Sequence, residues 1–204
     1  MLRRLVAASI PLLFATAVWG ADPTPMTPPE VQGGSHSVSP VPVEASGTVI
    51  QLGGPAPTFS YLAADGQWYR FQDLFNAHGV LLVFEPSDQD LADMERLRGA
   101  FNEMGVRPVP VLSGSTHSTA RAARRAGYTG TVVSDPMQAI AGLYHSLSPS
   151  SRNPATAYFV IDAKRKLRAV YYGPMPPVEL LLASAARGLG LPLPASMFTT
   201  TNDR

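Results

Sequence analysis

The chain has 204 residues, and its 16 Lys and Arg against 15 Asp and Glu leave a formal net charge of +1. A nucleic-acid partner would want a concentrated basic face, which this balance does not supply. Cysteine is absent altogether, which excludes structural disulfides, a lipidated-cysteine anchor and any thiol nucleophile, so stability must come from a packed core.

Residues 1–20 have the pattern of an export signal. Arg3 and Arg4 form a positive start, Leu5 to Val18 an apolar run, and Val18 and Gly20 supply the small residues a signal peptidase needs, with cleavage before Ala21. A retained membrane anchor is the alternative, but the run falls short of the roughly 20 apolar residues that span a bilayer. The expected product is periplasmic or secreted, with no stable membrane anchor. Residues 21–47 are a linker: six prolines (Pro23, Pro25, Pro28, Pro29, Pro40 and Pro42) stand among Gly, Ser and Thr. Such a segment cannot bury enough surface to offset its ordering entropy. His36 is one more polar residue of that linker.

The folded domain is expected over 48–190. Phe59, Tyr61 and Leu62 suggest a first strand, Asp65-Gly66 a hairpin turn, and Trp68, Tyr69 and Phe71 the returning strand. Val80 to Phe84 is an unbroken apolar run suited to a central strand covered on both faces. Pro86 ends its pairing, and Ser87, Asp88 and Asp90 offer N-caps and acidic first-turn charge to a helix. Leu91, Met94, Leu97 and Phe101 mark that helix's apolar face. Val106 to Leu112 predicts a second, parallel strand, and Ser115 or Thr116 caps a helix to Ala126 that Gly127 terminates. Its basic tract, Arg121 to Arg125, is a solvated helix face. Thr131 to Val133 is a short strand, and Ser134-Asp135-Pro136 introduces a helix from Met137 to His145. Ala157 to Asp162 and Leu167 to Tyr172 pair as a hairpin, and Pro177 to Leu189 is the last helix. Residues 191–204 are a flexible, mostly polar tail. Strands alternating with helices and closed by a hairpin predict an α/β domain whose mixed central sheet carries helices on both faces.

Five words in this order carry a resemblance: Gly53-Gly-Pro-Ala-Pro57-Thr-Phe59, Asp65-Gly66, Val80 to Pro86, Ser134-Asp135 and Phe159-Val-Ile-Asp162. Residues 50–185 resemble the redoxins, the thioredoxin-fold group of alkyl hydroperoxide reductases and thiol-specific antioxidants (peroxiredoxins). The resemblance implies a thioredoxin-like fold and peroxide reduction by Pro-x-x-x-Thr-x-x-Cys after the central strand. Residue by residue, Pro86 matches the proline, but Asp90 stands at the threonine and Asp93 at the cysteine. The family's arginine falls near Thr156, with Arg152 a few residues upstream. Aligned instead on a Cys-x-x-Cys, the cysteine positions become Gln89 and Ala92. Peroxide reduction needs a polarizable sulfur that cycles through a sulfenic acid, and a carboxylate cannot run that cycle. Met94 has a thioether, but its place on the apolar helix face makes it core filler. The matched positions are therefore a degenerate pocket with no catalytic residue and no cofactor.

Glu85, Asp88, Asp90, Asp93 and Glu95 crowd five carboxylates into eleven residues. Asp88, Asp90 and Asp93 are candidate ligands for a hard cation. The simpler account is helix-terminal electrostatics, since the EF-hand glycine and closing glutamate are missing. His78, His117 and His145 lack paired metal spacing, and Ser113, Ser115, Ser118 and Ser134 lack a nucleophile-elbow motif. Tyr171 and Tyr172 are sheet packing. The favoured function is a non-catalytic binding or accessory module of the cell envelope, with an unidentified envelope protein as partner and the oligomeric state undefined. An oxidoreductase role inherited from the family, with a thiol or metal supplied in trans, is the alternative, and cation binding by the acidic loop is the second.

Overall fold

Six consecutive buried residues, Gly79–Phe84, form the strand on which the rest of the sheet is built. The computed structural model describes residues 50–63, 67–75, 78–147 and 155–197. Chain order within it is β1 (Ser60–Leu62), β2 (Trp68–Arg70), β3 (Gly79–Phe84), α1 (Asp88–Arg96), α2 (Arg98–Glu103), β4 (Val106–Leu112), α3 (Thr116–Ala126), β5 (Val133–Ser134), α4 (Ala139–Leu143), β6 (Ala157–Asp162), β7 (Leu167–Tyr172) and α5 (Val178–Leu189). The sheet order is β2-β1-β5-β4-β3-β6-β7. β3 pairs parallel with β4 and antiparallel with β6, so the expected mixed sheet is present. Because side chains alternate along a strand, Val80, Leu82 and Phe84 enter one core with Phe71, Tyr144 and Phe159. Leu81 and Val83 enter the other, with Leu91, Met94, Phe101 and Leu181. Helices α1, α2, α3 and α5 cover that second face. α4 and a 3₁₀ turn at Phe71–Leu74 cover the first.

Strand β4 carries two prolines in a parallel pairing, and parity explains why it tolerates them. The Val111 carbonyl accepts from Glu85 beyond β3, while the Leu112 carbonyl accepts from Asp135 beyond β5. Pro108 and Pro110 share the orientation of Leu112 and so lack their N–H on the side away from β3. There β5 pairs only with Val111 and Leu112, so no ladder bond is lost.

Several boundaries depart from expectation. The returning strand stops at Arg70, because the Asp73 carboxylate accepts the Arg70 N–H at 2.9 Å and opens the 3₁₀ turn. Phe71 nevertheless stays in the core, 4.8 Å from the ring of Phe59. The helix after β3 keeps its apolar stripe but divides at Leu97 (φ −91°, ψ 10°), with Gly99 weakening the turn that follows. β5 lies further along than Thr131 to Val133. The helix predicted from Met137 starts at Ala139, because Gln138 adopts a left-handed φ of 56° and its N–H closes a turn on the Asp135 carbonyl. Residues 191–197 of the expected flexible tail are docked: Ala195 N–H and Ser196 Oγ donate to the Glu103 carboxylate on α2. The Asp65-Gly66 turn lies outside the described residues, although Leu62 and Trp68 on either side of it pair. The signal, linker, His36 and Arg152 also lie outside them. Among the described residues no helix is long and apolar enough to cross a membrane.

Candidate functional site

The carboxyl ends of β3, β4 and β5 meet the start of β6 at one end of the sheet, which is where open α/β sheets place ligands. The residue at the tip of β3 is Glu85, whose φ of 49° is left-handed and uncommon for a side chain of this size. Its N–H donates to the Val111 carbonyl at 3.0 Å, and its Oε1 accepts the Ser113 N–H at 2.6 Å. The half-buried carboxyl thereby ties the tip of β3 to that of β4. Burial pushes it above the ordinary glutamate range against the lowering effect of the Ser113 bonds, and the charge of Asp135 pushes the same way. Asp135, only 5 % exposed, accepts the Ala141 N–H at 2.8 Å. In the sequence Glu85 stands merely as one acid of a cluster. Its signal was a glutamate standing directly between an apolar strand and a proline.

Pro86 is buried and ends the strand. Ser87 then caps α1. Its Oγ accepts the Asp90 N–H at 3.2 Å, while Asp90 Oδ2 accepts the Ser87 N–H at 2.8 Å and the Ser87 hydroxyl at 2.6 Å. The carboxylate at the threonine position is thus committed to a capping box, as an acceptor where the family has a hydroxyl. Asp93, at the cysteine position, stands in the second turn of α1. Its Oδ1 accepts Arg96 Nε and its Oδ2 accepts Gln89 Nε2, both at 3.2 Å. Arg96 also reaches Glu179 on α5 at 2.6 Å, so its charge is shared between two acids. Thr156 lies just before β6, and its carbonyl accepts the Gly173 N–H at 3.2 Å. Pro86, Asp90, Asp93 and Thr156 lie at this end of the sheet. They offer neither a sulfur nor, at position 156, a guanidinium. Gln89 and Ala92 supply no thiol either.

The acids of the loop diverge rather than converge. Asp88 forms a two-point contact with Arg125 on α3, at 3.0 and 3.1 Å. Glu95 accepts Arg98 at 3.1 Å and the Thr129 N–H at 3.0 Å. Asp88, Asp90 and Asp93 therefore each answer to a different partner. Among the described residues no three His, Asp or Glu side chains group as a metal cage. His78 lies in an exposed loop, His117 in the first turn of α3 beside Arg121, and His145 just past α4. Tyr171 stacks on Tyr158 in the hairpin, and the Tyr172 hydroxyl donates to the Tyr144 carbonyl at 2.8 Å.

With this geometry in hand, known proteins place the chain. The profile of the AhpC/TSA family matches residues 52–170. No curated protein sequence matches. Among solved structures, the peroxidoxin BcpB of Mycobacterium tuberculosis superposes with a TM-score of 0.59 at 19% identity, covering 70% of this chain and 96% of that one. The yeast mitochondrial 1-Cys peroxiredoxin gives 0.57 at 18% identity, covering 68% and 76%. The mitochondrial 2-Cys peroxiredoxin of Plasmodium falciparum gives 0.55 at 16%, covering 67% and 93%. At these identities the structures establish the thioredoxin-like peroxiredoxin fold, and the profile spans more than half of the 204 residues: the chain belongs to the AhpC/TSA family and lacks its catalytic cysteine.

Proposed function

We propose that this protein is an exported, non-catalytic member of the family that serves as a binding or accessory module in the cell envelope. The observation that carries the reading is Asp93: the position of the nucleophile holds a carboxylate already paired with Arg96. A carboxylate has no accessible oxidation step, and Asp90 as an acceptor offers an incoming peroxide no proton. Thr156 provides no positive field to polarise an O–O bond. Export is supported by the charged start, apolar run and small residues of positions 1–20.

The test is turnover. The purified, metal-free protein is expected to reduce neither peroxide nor disulfide above the buffer rate with thioredoxin, glutathione or dithiothreitol as donor. Robust turnover in such a sample would end the non-catalytic reading. The export component has its own readout: the intact mass of the chain recovered from the envelope fraction should correspond to a start at Ala21. A full-length mass there would instead favour a retained anchor.

A further inference from the structure

At the opposite end of the sheet from the degenerate pocket, the β6–β7 hairpin turns through Asp162, Ala163, Lys164, Arg165 and Lys166. Its one acid, Asp162, is matched by Arg168, whose guanidinium reaches it at 2.6 Å. Glu103 on α2 is taken up by the Ala195 N–H and the Ser196 hydroxyl. Lys164, Arg165 and Lys166 are exposed and take part in no ion pair among the described residues, so three consecutive cations remain unbalanced at the tip. The carboxyl end of the sheet is the reverse: Glu85, Asp90 and Asp135 stand there outside any such pair.

The tip is held from three sides. The Arg165 N–H donates to the Asp162 carbonyl at 2.8 Å, and the Lys166 N–H to the Asp162 carboxylate at 2.9 Å. The segment that enters the domain braces it from outside. There the Gly53 N–H donates to the Leu167 carbonyl at 2.7 Å, the Leu167 N–H to the Gly54 carbonyl at 2.9 Å, and the Ala56 N–H to the Arg165 carbonyl at 2.8 Å. From the β3 side, the His78 carbonyl accepts the Ala163 N–H at 3.0 Å. Arg165 has a left-handed φ of 61°, which glycine or asparagine would adopt with less strain. An arginine in that place points to a use for its charge rather than for the turn.

Two features beside the tip bear on the partner. Leu52, 62% exposed, directly precedes Gly53, which its bond fixes against the hairpin. The described residues begin at Ile50, so residues 1–49, with the apolar run Leu5 to Val18, join the domain at this same end. Exposed cations next to an exposed aliphatic side chain suit an anionic bilayer, whose phosphates meet the charges and whose acyl boundary receives the leucine. We propose that Lys164, Arg165 and Lys166, with Leu52 beside them, dock the domain reversibly on an anionic phospholipid surface, the acidic end of the sheet turned away. Three charges without a second anchor give weak, salt-sensitive adsorption. This names what the envelope module touches and so builds on that reading, but it is measured apart from export and turnover.

The purified protein is sedimented at low ionic strength with vesicles of phosphatidylcholine alone, or mixed in equal parts with phosphatidylglycerol. Binding to the mixed vesicles only is expected, and added salt should release it. Lys164→Gln with Lys166→Gln should weaken it by about tenfold or more. Arg121→Gln with Arg124→Gln removes the same charge from α3 and should weaken it by less than about threefold. Because the chain has no cysteine, Leu52→Cys can carry a single environment-sensitive dye. Its emission should shift to the blue on mixed vesicles, whereas the same dye on Met137→Cys, just past β5, should not respond. Failure to bind mixed vesicles, equal binding to neutral ones, equal loss in the two double variants, or a blue shift at position 137 alone would each overturn the proposal. Binding of poly-glutamate at the tip without vesicle binding would do so in favour of an acidic protein partner. Peroxide turnover, or a full-length mass in the envelope, would end the earlier reading and leave the vesicle result standing.

Discussion

At the scale of single residues, identity rather than position separates this chain from its relatives. Asp93, which the resemblance sets at the nucleophile's position, stands in the second turn of α1, beyond the first-turn reach of the helix dipole that lowers a thiol pKa. Its neighbour Arg96, 3.2 Å from the Asp93 carboxylate, is also bound to Glu179 at 2.6 Å, so its charge is already shared with a second acid. Asp93→Cys alone should therefore give a thiol that reacts with peroxide at about the rate of free cysteine, because Asp90 offers no proton and Thr156 no positive charge. Stopped-flow rates with hydrogen peroxide check this. A rate comparable with active family members would mean that the rest of the pocket still functions. Glu85 makes the complementary point: it is a polar group at the end of the sheet whose role no motif announced.

At the scale of elements, the sequence was most legible where two signals agreed. The run Val80 to Phe84 lies where its unbroken apolar, β-branched character placed it, and β6 and β7 pair as the expected hairpin. α3 lies between its serine cap and a glycine at φ 68°. Boundaries failed where a side chain took a backbone bond, or a backbone turned left-handed, in a way that propensity does not encode. Asp73 ended β2, and the left-handed Gln138 delayed α4. Candidate acids could be named from spacing, but not their divergence, because Arg125 and Thr129 reach Asp88 and Glu95 from positions the local pattern does not link. The capping box of α1 allows a quantitative contrast. Ser87→Ala removes a side-chain acceptor from a helix N-terminus and should cost about 0.5–2 kcal/mol. Arg96→Ala removes ion pairs of a side chain 55% exposed and should cost about 0–1 kcal/mol. Urea midpoints decide: a larger loss for Arg96→Ala would mean that the link between α1 and α5, not the cap, secures the helix.

At the scale of the whole molecule, carboxylates of opposite character set how stability responds to pH. In Glu95, burial raises the pKa but is outweighed by the Thr129 and Arg98 bonds, and in Asp162 burial is likewise outweighed by Lys166 and Arg168. Glu179 is held low chiefly by its bond from Arg96. These groups join α1 to the loop after α3, β6 to β7, and α1 to α5. Each has a folded pKa below its unfolded value, so its stabilisation is complete above the ordinary carboxylate range and is lost as pH falls through the folded value. Glu85 works in the other direction. Its folded pKa lies above the ordinary 4.5, so the folded state holds the proton more tightly and stability declines as pH rises through the interval between the two values. The two slopes oppose each other: the urea midpoint should fall as pH drops through the folded range of the lowered acids, and should decline more gently as pH rises above 4.5 through the Glu85 interval. Glu85→Gln keeps an acceptor for the Ser113 N–H but cannot ionise. It should abolish the gentle decline, leave the acid limb unchanged, and be more stable than the parent at pH 7 but not below pH 4.5, where the parent's Glu85 is itself protonated in the fold. A parent profile that rises steadily to neutrality, or a Gln variant that retains the parent's slope there, would show that the Glu85 carboxyl is solvated in the fold and does not carry the burial penalty assigned to it.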